Sequence, residues 1–323
     1  MEVMNMQEFK LIEKIKELTK SDNTDNLNIG DDCAVIKNMS TDKDILVTAD
    51  ILVENIHFSL NYYPFYDIGY KSAQANISDI ICKGANPKNV FISLSIPKKI
   101  NDENILEWYR GFLEACKPYN IEISGGDTTS SNDFFFISIT LIGTIEKNKA
   151  ILRSNAQVND NVYVLGFAGE SDLGLKKLLS GNYDYNDESI KTHLRPKLFY
   201  DKWQKIINKY KINSSIDISD GLLQDASHIA EKSNKTIEIY ESSNWNLVNR
   251  FFYKDNKDNK EILKSILTGG EDYAIIFTST DNIQEENNLI KIGKVKEYSN
   301  TFIRFIDINN KEIHFDSLGF VHS

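Results

Sequence analysis

The chain has 323 residues, 41% of them hydrophobic and 26% charged, with a formal net charge of −10. That length accommodates two domains and a well-buried core, in a composition ordinary for a globular protein. The negative balance argues against nucleic acid or an anionic membrane held by a basic surface; no apolar run approaches the ~20 residues of a membrane span, and the acidic start lacks the features of a secretory leader, so a cytoplasmic protein is expected.

In chain order, Phe9, Ile12, Ile15 and Leu18 form one apolar stripe of a helix over residues 8 to 18. The polar residues 19 to 28 end it and lead to a turn at Gly30. Ile45 to Thr48 reads as a buried strand delivering Asp50 at its end. A helix capped by Asp67 and stopped by Gly84 carries Tyr70, Ala73, Ile77, Ile80 and Ile81 on its apolar face, with Asn76 and Asp79 sharing the other. Val90, Ile92, Leu94 and Ile96 alternate as a strand. Asn101 or Asp102 caps a helix with Ile105, Trp108, Phe112 and Cys116 inward, and Phe134 to Leu141 is a further strand.

The polar segment from Gly143 to Asn161 marks a domain boundary, dividing the chain into residues 1–145 and 146–323. Beyond it, Val162 to Gly166 is a strand and Asp172 to Leu179 a helix. Ile216 to Gly221 is strand, turn and helix start, because Leu222, Leu223, Ala226, Ile229 and Ala230 follow at helical spacing. Ile237 to Tyr240, Tyr273 to Phe277 and Phe302 to Ile308 add strands, the last turning at Asn309 and Asn310 into Ile313 to Phe315 as a hairpin. Interleaved strands and helices in both halves indicate an α/β or α+β fold. Cys33, Cys82 and Cys116 are scattered without metal-ligand spacing and are expected to be small buried residues.

Four stretches repeat one chemistry: Ile29-Gly30-Asp31-Asp32, Ser124-Gly125-Gly126-Asp127-Thr128, Asp217-Ile218-Ser219-Asp220-Gly221 and Thr268-Gly269-Gly270-Glu271-Asp272-Tyr273. Each sets acids on a turn that glycine permits, beside an apolar run. Acids that would otherwise repel are gathered by a hard divalent cation, and Asp carboxylates with Ser and Thr hydroxyls suit magnesium or calcium better than zinc or copper. Magnesium also takes phosphate oxygens, which favours a nucleotide enzyme over a structural ion site. The chain has no P-loop and no G-x-G-x-x-G loop, so metals must neutralise the charge that a P-loop lysine shares.

Gly30-Asp31-Asp32-Cys33-Ala34, Thr48-Ala49-Asp50 with Val53 to Phe58, Asn76-Ile77-Ser78-Asp79, Gly84 to Pro87, Gly125 to Thr128, Arg153-Ser154, Leu194-Arg195-Pro196, Asp217 to Leu222 and Gly269 to Tyr273 occur in this order. The ordered set, from about residue 8 onward, resembles the thiamine-monophosphate kinase family. The resemblance implies the two-domain fold of the aminoimidazole-ribonucleotide-synthetase superfamily: an N-terminal domain that binds ATP and magnesium and pairs in a homodimer, and a C-terminal α/β domain that completes the substrate site. It implies the last step of thiamine diphosphate synthesis, ATP plus thiamine monophosphate giving thiamine diphosphate and ADP. It makes Asp32, Asp50, Asp79, Asp127, Asp217 and Asp220 magnesium ligands, Thr48 and Ala49 offering hydroxyl or backbone oxygens, with Asp79, Asp127 and Asp220 acting through metal and no protein nucleophile. By the same resemblance Gly126, Asp127, Arg153 and Ser219 contact ATP, and His57, Glu271 and Phe320 contact thiamine monophosphate. The chain departs from the family at Asn155, at Ala274 and at Ile80-Ile81-Cys82-Lys83, where the family has a smaller-residue helix end.

The same residues have plainer readings. Asp79 could pair with Lys83 four residues on, Asp31 rather than Asp32 could be the ligand, and Asp217 on its strand is either outward and solvated or inward in a site. His57 could be a packed strand histidine, Arg153 an ordinary surface arginine and Phe320 a core ring. Other enzyme readings are a selenophosphate or aminoimidazole-ribonucleotide synthetase; a non-catalytic nucleotide-binding regulator is a reading of another class.

Overall fold

Strand alternation builds the first of two sheets in the computed structural model, which describes residues 31–36, 42–242, 244–253 and 257–320; the helix expected over 8–18 and Gly30 lie outside the described residues. Strands β1 (Ala34–Ile36), β2 (Lys43–Val53), β3 (Asn86–Pro97), β4 (Glu122–Ser131) and β5 (Phe136–Glu146) form a sheet in the order β1-β2-β5-β3-β4, antiparallel except for the β3–β4 pair. Its inner face, with Leu46, Ile92, Leu94, Ile137, Ile139 and Leu141, is covered by α1 (Phe65–Cys82) and α2 (Asp102–Cys116) through Ile77, Ile80, Trp108 and Phe112. Each such side chain contributes roughly 1.5–3 kcal/mol on burial. The two helices meet at backbone contact: a Cβ on Gly69 would lie 1.9 Å from the Trp108 carbonyl oxygen, and one on Gly111 1.8 Å from that of Tyr66.

The second sheet has the order β12-β11-β8-β10-β6-β9-β7. It comprises β6 (Asn161–Leu165), β7 (Ile212–Asp217), β8 (Lys235–Tyr240), β9 (Ile275–Ser279), β10 (Leu289–Glu297), β11 (Ile303–Ile306) and β12 (Glu312–Ile313). Its helices are α3 (Glu170–Leu179), α4 (Glu188–Leu194), α5 (Tyr200–Lys209), α6 (Leu222–Ser233) and α7 (Asn259–Thr268). One face packs against α6 and α7 through Leu222, Ala226, Ile229 and Ile266, the other against α5 through Trp203 and Ile206. Strands β6 and β9 are buried at every position, as expected of strands covered on both faces.

The C-terminal turn of α1 joins the sheets. Ser78 Oγ donates to Asp217 Oδ2, Lys83 Nζ to the Ser215 carbonyl and Ser215 Oγ to the Cys82 carbonyl, each at 2.6 Å.

Several expectations change in the structure. Asp50 lies inside β2, because pairing with β5 continues to Val53. Asp67 belongs to the first turn of α1, which starts after Pro64, and its carboxylate pairs with Arg195. Gly125-Gly126-Asp127 is not a turn but part of edge strand β4, paired with β3 across a register shift. There Gly126 has φ +152°, and its Cβ would sit 1.8 Å from the Ile92 carbonyl oxygen. The loop expected from Gly143 starts after Glu146. Helices α4, α5 and α7 and strands β1 and β10 have no counterpart among the expected elements. The three cysteines are buried and unbridged.

Candidate active site

Four segments bring acids together: the start of the described chain, β2, the end of α1 and the end of β7. Thr48 and Asp50, two apart on β2, point to the same side, and Thr48 Oγ1 donates to Asp79 Oδ2 at 2.5 Å. Asp217 is buried at the end of β7, so it is the inward reading of that strand that holds. Carboxylate oxygens of Asp32 and Asp217 and the sulfur of Cys82 lie within 4.8 Å of one another.

The electrostatics divide these acids in two. Burial would raise the Asp32 carboxyl, but the charges of Arg153 and Lys83 overcome it and hold the group far below its ordinary value. Arg153 reaches both Asp32 oxygens, and Lys83 Nζ touches Asp32 and lies 2.8 Å from Asp31 Oδ1. Lys83 therefore pairs with Asp31 and Asp32 rather than Asp79; it sits just past the end of α1, where it also meets Ser215. Arg153 is 20% exposed and is not a plain surface arginine. Asp31 shapes the turn: it accepts from the backbone of Asp32 at 2.9 Å and of Arg153 at 3.0 Å.

The second group makes no described ion pair, although the charges of Arg153 and Lys83 lower Asp217 in part. Burial and the Asp32 charge raise Asp50 to about 6 and Asp217 to about 7. Asp79 is pushed well above the carboxylate range by burial and by Asp50, Asp217 and Asp32. Clustered oxygen donors that resist ionising together are what a hard divalent cation would relieve, and the donor set fits magnesium.

A cavity of about 890 Å³ opens from this cluster. Its described lining includes six carboxylates, Asp50, Asp79, Asp172, Asp217, Asp220 and Glu271, with no lysine or arginine. The same lining includes the aromatic and apolar side chains of Phe58, Tyr62, Tyr63, Leu175 and Phe320. His57 lines it and accepts at Nδ1 from the Val53 backbone at 3.0 Å, and Ser219 lines it too. Phe320 is 50% exposed at the rim, not a core ring, and its backbone donates to the Asp220 carbonyl at 2.7 Å. Asp225, which the sequence did not flag, holds the Ser219-Asp220-Gly221 turn by accepting from all three backbone N–H groups at 3.1 Å.

Ala49, Gly126 and Asp127 stand apart. Ala49 follows Thr48 on the strand and so points to the opposite, exposed face. Cross-strand register puts Asp50, Ile139, Ile92 and Gly126 in one row, and Ile51, Ser138, Ser93 and Asp127 in the next. Asp127 is therefore on the outer face of the sheet, three strands and about 14 Å from β2.

Comparison with known proteins gives a consistent result. Residues 30–145 match the family model for the AIR synthase related protein, N-terminal domain. The thiamine-monophosphate kinase of Aquifex aeolicus is 35% identical over 94% of this chain and 96% of its own. That of Haemophilus influenzae is 34% identical over 99% and 98%. A solved structure described as AaThiL complexed with AMPPCP and TMP has a TM-score of 0.80 at 32% identity, over 98% of this chain and 97% of that one.

Proposed function

The chain belongs to the thiamine-monophosphate kinase family, and on that premise we propose that it transfers the γ-phosphoryl group of ATP to thiamine monophosphate, giving thiamine diphosphate and ADP. The observation that carries the reading is the cavity: six carboxylates and no described lysine or arginine on its lining, together with the aromatic rings of Phe58, Tyr62, Tyr63 and Phe320. Phosphates could not approach such a lining unaided, since one like-charge pair 5 Å apart costs about 3 kcal/mol at an effective dielectric of 20. The aromatic rings suit a flat heterocycle. The solved relative carries both an ATP analogue and TMP by its description.

In the reaction a phosphate oxygen of thiamine monophosphate forms the new bond to the γ-phosphorus as the bond to the β-bridging oxygen breaks, and ADP leaves with that electron pair. The acceptor phosphate is already largely ionised near neutral pH, so the protein's work is positioning and charge. We assign Asp32, Asp50, Asp79, Asp217 and Asp220, with Thr48 and the main chain of Ala49, to holding magnesium. Magnesium, when bound, supplies neutralisation of the phosphate oxygens. Arg153 and Ser219 are assigned to the nucleotide, with the Arg153 fork exchanging its hold on Asp32 for phosphate. His57, Glu271 and Phe320 are assigned to thiamine monophosphate.

Gly126 and Asp127 we assign to the nucleotide and metal through a homodimer. The outer face of the first sheet carries Ile51 at 56% and Phe91 at 40% exposure, and no described helix covers it. Two such faces pairing would bury the apolar residues and bring Asp127 of one chain toward the site of the other. In this reading residues 1–145 are the dimerising, nucleotide-binding domain and 146–323 complete the substrate site. No helix among the described residues is long and apolar enough to cross a membrane, and we place the reaction in the cytoplasm.

Incubation with ATP, Mg²⁺ and thiamine monophosphate should yield thiamine diphosphate and ADP in equal amounts. ATP consumption without that product, or no turnover, overturns the reading.

A further inference from the structure

Glu271 is held by a buried polar cluster that the reaction above does not use. Lys71 on α1 is 3% exposed, and its Nζ lies 2.9 Å from Glu271 Oε2 and donates to the Tyr63 hydroxyl at 2.8 Å. That hydroxyl lies 2.6 Å from His193 Nε2, and His193 Nδ1 lies 2.9 Å from Ser171 Oγ. An ammonium only donates, so the Tyr63 oxygen accepts from Lys71, whose Nζ also lies 3.5 Å from His193 Nδ1. Burial, reinforced by the Lys71 charge, keeps the imidazole neutral by lowering its pKa well below the ordinary value. The cluster thus contains one cation, Lys71, directed at one anion, Glu271.

The backbone is committed as well. Glu271 has φ +62° and donates its N–H to the Ser219 carbonyl at 2.7 Å. A side chain-bearing residue persists in that strained region where its surroundings over-determine it, and such positions cluster at ligand clamps. The Glu271 side chain remains 30% exposed and lines the cavity.

We infer that Lys71 is the positioning residue for Glu271: it fixes Oε2 so that Oε1 is presented to the acceptor, whose aminopyrimidine donates hydrogen bonds and whose thiazolium is cationic, and Tyr63, His193 and Ser171 hold Lys71 in place. The inference rests on thiamine monophosphate being the acceptor. A carboxylate at the rim of a wide cavity has many rotamers, and tethering one oxygen to a buried ammonium removes most of them before the ligand arrives. Burying the ammonium is tolerable because Glu271 and Tyr63 accept from it.

A double-mutant cycle tests this, read as KM for thiamine monophosphate against kcat and KM for ATP. Lys71→Met and Glu271→Gln should each raise KM for thiamine monophosphate about tenfold, the loss of one charged hydrogen bond, with the other constants within about twofold. Because Lys71 acts through Glu271, the double variant should resemble the worse single one. An additive rise of about a hundredfold, or equal losses for both substrates, overturns the inference by making Lys71 a general structural residue. Should Lys71→Met not fold, Tyr63→Phe removes only the hydroxyl that holds Lys71. It should raise KM for thiamine monophosphate about threefold in the wild-type background and not in Glu271→Gln; the same effect in both backgrounds, or none in wild type, is the overturning result. Wild-type protein that forms no thiamine diphosphate defeats the functional reading itself, whereas normal wild-type turnover with an additive cycle defeats only the role of Lys71.

Discussion

Replacing Asp217 with asparagine in metal-free protein should make it more stable, with a defined pH dependence. Asp217 is 2% exposed, accepts from Ser78, and is raised from 3.8 to about 7 by burial and the charge of Asp32. An acid whose folded value is raised binds a proton more tightly when folded than unfolded. Its favourable contribution is complete below about pH 4 and is lost as pH rises to about 7, above which the ionised group opposes folding. The rise corresponds to roughly 4 kcal/mol. Asparagine keeps an oxygen for Ser78 but cannot ionise, and with Asp50 and Asp79 sharing the repulsion, one substitution should release about half of that. At about 2–4 °C per kcal/mol, Tm in EDTA at pH 8 should rise by about 4–8 °C, with a smaller rise at pH 5 and little difference at or below about pH 4. Magnesium should then raise the Tm of wild type more than that of the variant. A variant melting below wild type at pH 8, or a difference independent of pH, would refute the repulsive cluster.

Asp79→Asn should leave circular dichroism unchanged and remove most turnover, at least about a hundredfold in kcat. Mixed with an equally inactive Asp127→Asn protein, it should recover about a quarter of wild-type activity if each site draws on both chains of a two-fold dimer, measured after subunit exchange. Lys83→Met strips Asp31 and Asp32 of a buried cation and should cost about 3–5 kcal/mol in chemical denaturation. Gly111→Ala drives a methyl into the Tyr66 carbonyl oxygen, 1.8 Å away, and should lower stability by about 2 kcal/mol or more through separation of α1 and α2.

What was legible in the sequence was local. Alternation at Val90, Ile92 and Leu94 and the helical spacing after Gly221 both reappear as built elements, because a period of two or of 3.6 is set by neighbours in the chain. Asp50, Asp79 and Asp217 were singled out through the family resemblance, and the structure brings them together. Their partners were not legible. Lys83 reaches Asp32 across 51 residues and Arg153 across 121, distances that only folding closes. Lys83 looked like a mild departure at a helix end and proves to be the buried counter-ion of that corner. The Gly125-Gly126-Asp127 stretch misled for a different reason: Gly126, which read as part of a turn, serves a close approach to Ile92 within a strand. Lys71, Tyr63 and His193 carry no shared motif, and their convergence is a property of the tertiary structure alone.

The hydrogen bonds between the end of α1 and β7 have a mechanical consequence. Asp79 belongs to the first half of the chain and Asp217 to the second, and Asp217 opposes the ionisation of Asp79, while Ser78, Lys83 and Ser215 tie the two halves across the same seam. Two of those three ties end on main-chain carbonyls, whose acceptor strength does not vary with pH or with ligand. The seam is therefore aligned by ties that do not depend on a cation. Amide exchange at Ser215 and Lys83 should slow on magnesium binding with no change in the dimensions of the molecule.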